Sequence, residues 1–120
     1  MASGLGMDLI EINRIERALD RHPRLAGRLF TDAELEYSRE KLRPGRHLAA
    51  RFAAKEAVVK ALGLGAGTSL REIEVIAGTP PRIELHDEVR AQADELGLTV
   101  TVSLTHEREM AGAVALAEAA

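Results

Sequence analysis

The sequence predicts an α+β fold, an antiparallel sheet packed against one long central helix, and three stretches predict it. Residues 46–63 contain no proline and no internal glycine, are dense in alanine and leucine, and end on a glycine, the composition and stop signal of a helix. Ile73–Ile76 and Arg82–Leu85 flank the turn Ala77-Gly78-Thr79-Pro80-Pro81 as the strands of a hairpin do. Residues 99–105 alternate strictly, with Val100, Val102 and Leu104 on the side to be buried, and 110–117 are small and apolar enough for a covered return strand.

The bulk properties narrow the class. A chain of 120 residues, 46% hydrophobic, forms one domain over 1–120, large enough for a core and small enough to gain from an oligomer interface. Aromatic residues are only 2%, so that core is aliphatic and favours close approach of helices and strands. With no cysteine there is no disulfide, thiolate catalysis or cysteine-ligated zinc. The N-terminus lacks a positive start and a long apolar run, and no segment approaches membrane-spanning length, which predicts a soluble cytoplasmic protein. The net charge of −3 hides an asymmetry: residues 1–60 carry 12 Lys and Arg against 9 acids, residues 61–120 carry 4 against 10. An anionic partner would dock on the basic half. Few aromatic platforms stand among those bases, which disfavours nucleic acid.

Each element has its own signal. Residues 4–10 alternate around Gly4 and Gly6 and end near Asp8, predicting a short strand with Asp8 at its edge, although an aspartate here also suits a cap for the following helix. Residues 11–21 form a helix on the core stripe Ile12, Ile15 and Leu19. Arg14, Arg17 and Arg21 share another face, and Arg24 and Arg28 continue the series past the break at Pro23. Read alone, that stripe is a solvated face with Glu16 and Asp20 as local partners. Thr31-Asp32-Ala33-Glu34 is a capping box that starts a helix running towards Lys41, and Arg43-Pro44-Gly45-Arg46 breaks it. On the central helix Leu48, Phe52, Val58, Val59 and Leu62 fill one arc and alanines line the other. Arg51, Lys55, Glu56 and Lys60 sit within this otherwise buried helix, and buried charge is costly without a partner. Glu56 and Lys60, four apart, project an acid and a base together. Residues 63–68 are glycine-rich, 87–96 form a helix closed by Gly97, His106 ends a strand, and the last four residues are frayed.

Three blocks resemble the holo-acyl-carrier-protein synthase type of 4′-phosphopantetheinyl transferase. They are Gly4 to Ile10 with its aspartate, Arg51-Phe52-Ala53-Ala54-Lys55-Glu56-Ala57 with Lys60-Ala61-Leu62-Gly63, and Ser103-Leu104-Thr105-His106, in the family's order and across nearly the whole chain. In the last block threonine replaces the family's second serine and keeps the hydroxyl. The resemblance implies that fold, a homotrimer with sites between subunits, and transfer of 4′-phosphopantetheine from coenzyme A to a serine of apo acyl carrier protein, releasing 3′,5′-ADP. It implies Asp8 and Glu56 as ligands of Mg²⁺, with Glu56, Lys60 and His106 catalytic. Glu56, or a water that it orients, is favoured as base, with His106 the alternative. Coenzyme A would meet Arg51, Lys60, Gly63, Gly65, Pro80, Thr105 and His106, with Arg43 a further contact through a variable loop. Arg14, Arg21 and Arg24 would meet the acidic carrier protein. Two rival readings stay open: a non-catalytic carrier-protein or coenzyme A binding module of the same fold, and a scaffold whose charges only pair with one another.

Overall fold

The computed structural model describes residues 3–120, so the first two residues of the N-terminal segment and of the expected 1–120 domain lie outside it. Along the chain run β1 (Gly4–Glu11), α1 (Ile12–Arg21), α2 (Leu25–Leu29), α3 (Asp32–Arg39), α4 (Pro44–Leu62), a 3-10 turn (Leu70–Glu72), β2 (Ile73–Ile76), β3 (Arg82–Leu85), α5 (Asp87–Leu96), β4 (Leu98–His106) and β5 (Met110–Ala119). The expected α+β arrangement holds. A three-stranded antiparallel sheet in the order β1-β5-β4 lies against α4, and β2 with β3 forms a separate hairpin. No helix among the described residues is long and apolar enough to cross a membrane.

Contact between α4 and the sheet is made by small residues on both sides. Ala49, Ala53, Ala54 and Ala57 are fully buried on the helix, and Ala111, Ala113, Ala115 and Ala117 alternate inward along β5. The deepest helix face is therefore the alanine one, whereas Phe52 and Val59 of the bulky arc are only half-buried. Close approach has a local cause. A Cβ added at Gly4 would lie 1.9 Å from the Ala61 carbonyl oxygen, and one at Gly6 would lie 1.9 Å from that of Ala57. Only glycine lets β1 cross there, and the crossing sets Asp8 beside the C-terminal half of α4.

Several boundaries depart from expectation for identifiable reasons. Arg43-Pro44-Gly45-Arg46 does not stay a loop, because Pro44 occupies the first helical position, where its missing N–H is not needed, and α4 starts there. The α4 stop is as expected, with Gly63 left-handed at φ 68°. Past Pro23 the chain makes the five-residue α2, which has no buried residue. The C-terminus does not fray at its last four residues: Glu118 and Ala119 pair with Thr99 and Leu98. The capping box forms, with Glu34 N–H donating to Thr31 Oγ1 at 3.2 Å and Thr31 N–H to Glu34 Oε1 at 2.8 Å.

Candidate active site

Asp8 comes from the middle of the edge strand β1, and Glu56 and Lys60 from one face of α4. Lys60 Nζ donates to the Met7 carbonyl at 2.8 Å and approaches Asp8 Oδ1 at 3.4 Å. Its side chain is still 54% exposed, so a third N–H remains for a ligand. Glu56 is half-buried; burial first, then the negative charge of Asp8, hold its carboxyl above the usual carboxylate range, and Lys60 opposes both. Two mutually repelling carboxylates with an ammonium at their edge attract a hard cation. Mg²⁺ fits this donor set, because it takes one or two carboxylates and completes its shell with water and phosphate oxygens.

Glu56 opens onto a cleft of about 520 Å³ between α2, α4 and the glycine-rich loop. Arg28, Gly65, Ser69 and Arg71 lie around it, and Gly63 caps the helix below. Arg28 also borders a second hollow of about 340 Å³, shared with Arg21 and Arg24. Arg14, Arg21, Arg24 and Arg28 are all exposed, so the basic face of α1 and α2 leads directly to Glu56. Arg28 belongs with these residues although only its spacing pointed to it.

The other predicted residues gather elsewhere. His106, exposed at the end of β4, has its ring 6.0 Å from that of His47, which stands edge-on to Tyr37 at 5.9 Å. The Arg51 guanidinium lies 4.3 Å from the Tyr37 ring centre and Lys41 Nζ 4.4 Å from it. The Nε atoms of Arg46 and Arg51 are buried without a hydrogen-bond partner among the described residues. Burial first, then the charges of Arg51, His106, Lys41 and Arg46, hold His47 below the usual imidazole range. This is an electropositive patch with unsatisfied donors, a setting that suits an anion. Tyr37, Lys41, Arg46 and His47 were missed in the sequence. His47 and Arg51, four apart on one helix, were the available signal.

One chain does not unite the two groups. Glu56 follows His47 by nine positions, about 13 Å of helix axis and a net half turn of rotation, so they point to opposite sides of α4. Arg51 with His106 thus sits apart from Asp8, Glu56 and Lys60. Thr105 lies on the outer sheet face, where a shallow groove of about 190 Å³ runs between Met7–Leu9 and Ser103–Thr105. Pro80 is exposed in the hairpin turn. Arg43 is not presented as a free phosphate ligand: its Nε and a terminal nitrogen clasp Glu16 at 3.0 and 2.9 Å, and its other nitrogen donates to the Arg108 carbonyl at 2.9 Å. That pairing was invisible because Glu16 was read only as a partner within its own helix.

Lys55, the remaining charge in the motif, is fully buried. Its Nζ donates to Glu34 Oε1 at 2.8 Å, to the Leu70 carbonyl at 3.0 Å and to that of Ile73. Glu34 Oε2 accepts from Val75 N–H at 2.9 Å. The scaffold reading describes this pair well. It does not describe Glu56, which has no hydrogen-bonded partner among the described residues.

Known proteins resemble the whole of this architecture. The family model described as the 4′-phosphopantetheinyl transferase superfamily matches residues 4–114. A holo-[acyl-carrier-protein] synthase of Moorella thermoacetica is 54% identical over 117 residues, covering 94% of this chain and 91% of that one. The crystal structure of the Neisseria meningitidis holo-[acyl-carrier-protein] synthase superposes with a TM-score of 0.86 at 31% identity, covering 96% and 97% of the two chains. The Bacillus anthracis enzyme, solved in complex with coenzyme A (3′,5′-ADP), superposes with a TM-score of 0.79 at 32% identity over 98% and 96%.

Proposed function

From the premise that this chain belongs to the holo-acyl-carrier-protein synthase family of the 4′-phosphopantetheinyl transferase superfamily, we propose that it moves 4′-phosphopantetheine from coenzyme A to a serine of apo acyl carrier protein. It is a transferase. The observation that carries the reading is the meeting of Asp8 and Lys60 with Glu56, whose carboxylate opens onto a cleft that Arg28 borders. The Bacillus anthracis complex supports coenzyme A as the donor. A binding module would need the cleft and the arginines but not two carboxylates and an ammonium aimed at one point. The same substrates support a cytoplasmic location.

Asp8 and Glu56 would hold Mg²⁺, which when bound neutralises charge on the diphosphate. Lys60 donates its free N–H to the oxygen that leaves with 3′,5′-ADP, and Asp8 and the Met7 carbonyl keep its ammonium oriented. Glu56, held above the usual carboxylate range, is placed to take the proton of the incoming serine. Arg14, Arg21 and Arg24, with Arg28 at the cleft, receive the acidic carrier protein. Gly65 leaves room beside Glu56 for the pantetheine arm, since a Cβ there would meet nothing within 4 Å. The test is direct. Apo carrier protein, coenzyme A and Mg²⁺ are incubated with the protein, and intact mass reports the added arm; no addition with a correctly folded protein rejects the reading.

The remaining residues fit a second copy of the chain. Leu5, Met7 and Leu9 are 65–70% exposed on the outer face of β1, and Val114 and Leu116 continue that apolar face across β5. A face of this kind on a short chain supports a homotrimer. In it Arg51, Thr105 and His106, with Arg46 and His47, would hold the adenosine 3′-phosphate of coenzyme A whose diphosphate lies on a neighbour's Asp8, Glu56 and Lys60. Leu5→Glu should give monomers in sedimentation that have lost most transfer activity, and a Leu5→Glu trimer of normal activity would contradict this assembly. Binding of 3′,5′-ADP should raise the His47 pKa, because a phosphate dianion opposes the positive charges that lower it. An NMR titration of the imidazole that moves downward or not at all would place the phosphate elsewhere.

A further inference from the structure

We propose that Arg71 is a positioning residue for carrier-protein recognition, acting through α2, an inference that rests on the function just proposed. Helix α2 carries Arg28 and follows Arg24, yet none of its residues is buried. Leu29 packs partly buried against the core and Phe30 just past the helix is fully buried, so apolar contact seats the C-terminal end of α2. Polar contacts from Arg71 add to that seat. One terminal nitrogen of Arg71 donates to the Gly27 carbonyl at 2.8 Å and to that of Phe30, which takes up acceptors that the end of a helix leaves free. The other lies 3.4 Å from Asp32 Oδ1 at an exposed pair that adds little.

The anchor at the opposite end of this contact is rigid. Arg71 belongs to the 3-10 turn Leu70–Glu72, and the buried Lys55 ammonium grips the Leu70 and Ile73 carbonyls on either side of that turn. Lys55 precedes Glu56 on α4. A continuous path therefore runs from the helix that bears Glu56, through Lys55 to the 3-10 turn, and through Arg71 to the helix that bears the docking arginines. Its geometry sets how far Arg24 and Arg28 stand from the reacting carboxylates. Arg71 is then not a contact for the reacting groups but the clasp between the two sides of the cleft.

Arg71→Met keeps an unbranched apolar stem and removes the donors. The expected result is a rise of about tenfold in the KM for carrier protein, well beyond any change in the KM for coenzyme A. Amide exchange should quicken within residues 25–30 and stay unchanged in α4 and the sheet. Arg71→Gln, which keeps one donor, should move both readouts less. A raised carrier KM with unaltered exchange in α2 would make Arg71 a direct contact and overturn the clasp. So would unchanged KM, or quickened exchange through the whole core. Parent protein that transfers no phosphopantetheine would sink the functional proposal instead, while the exchange pattern still judges the clasp.

Discussion

Glu56→Gln should fold as the parent does and lose phosphopantetheine transfer by about 10²- to 10³-fold, the scale on which removal of one preorganised electrostatic group lowers turnover. The substitution keeps shape and half-burial and deletes the charge. With the charge goes the proposed proton acceptor, so raising Mg²⁺ should not restore the rate. Because a neutral amide at 56 no longer repels Asp8, the thermal midpoint should hold or rise slightly, which separates a lost function from a lost fold. The sign of the titration follows from the same contacts. Burial and Asp8 hold Glu56 above the usual carboxylate range, so it becomes protonated earlier as pH falls than an exposed glutamate would. In metal-free protein, Asp8→Asn should move the Glu56 titration down towards the ordinary range. Near-parental transfer by Glu56→Gln, or a Glu56 titration indifferent to Asp8, would remove the basis of the enzyme reading.

Much of this site was legible in the chain because its signals are local. Glu56 and Lys60 are one helical turn apart, and periodicity alone puts them on one face; Thr31 and Glu34 announced α3 in the same way. The approach of Asp8 was legible only through resemblance, since nothing within residues 4–10 says which part of α4 they will cross. The glycines that permit the crossing were read only as part of a strand's alternation, and their purpose appears only against the Ala57 and Ala61 carbonyls. Arg51 and Lys60 lie in one motif and were both given to coenzyme A. Helical geometry assigns them to opposite sides of α4, and a phase of that kind is readable in advance. The Arg43 pairing with Glu16 was not readable, because the partners stand 27 positions apart in the chain. Neither was α2, which is too short and too exposed to leave a periodic trace.

Lys55→Met should destabilise the protein by about 3–5 kcal/mol, the cost of leaving one member of a buried ion pair alone, out of a total stability of about 5–15 kcal/mol for a domain. No other side chain among the described residues combines full burial with so many dependents. Glu34 would lose its cation, and the Leu70 and Ile73 carbonyls would lose a donor where water does not reach. Burial holds the Lys55 pKa below the usual lysine range, against the opposing pull of Glu34, so the pair works against its own desolvation. The loss should appear as a lower urea midpoint with the slope unchanged. Glu34→Gln placed on top of Lys55→Met should recover part of it, because an amide still accepts from Thr31 and Val75 without a stranded charge. A single variant within about 1 kcal/mol of the parent, or a double variant worse than the single, would mean that the ammonium does not compensate Glu34. The expected order marks Lys55, sealed against three oxygens, as the lysine that holds the wall of the cleft, distinct from Lys60 five residues on, which is half in solvent and is the one proposed to serve the substrate.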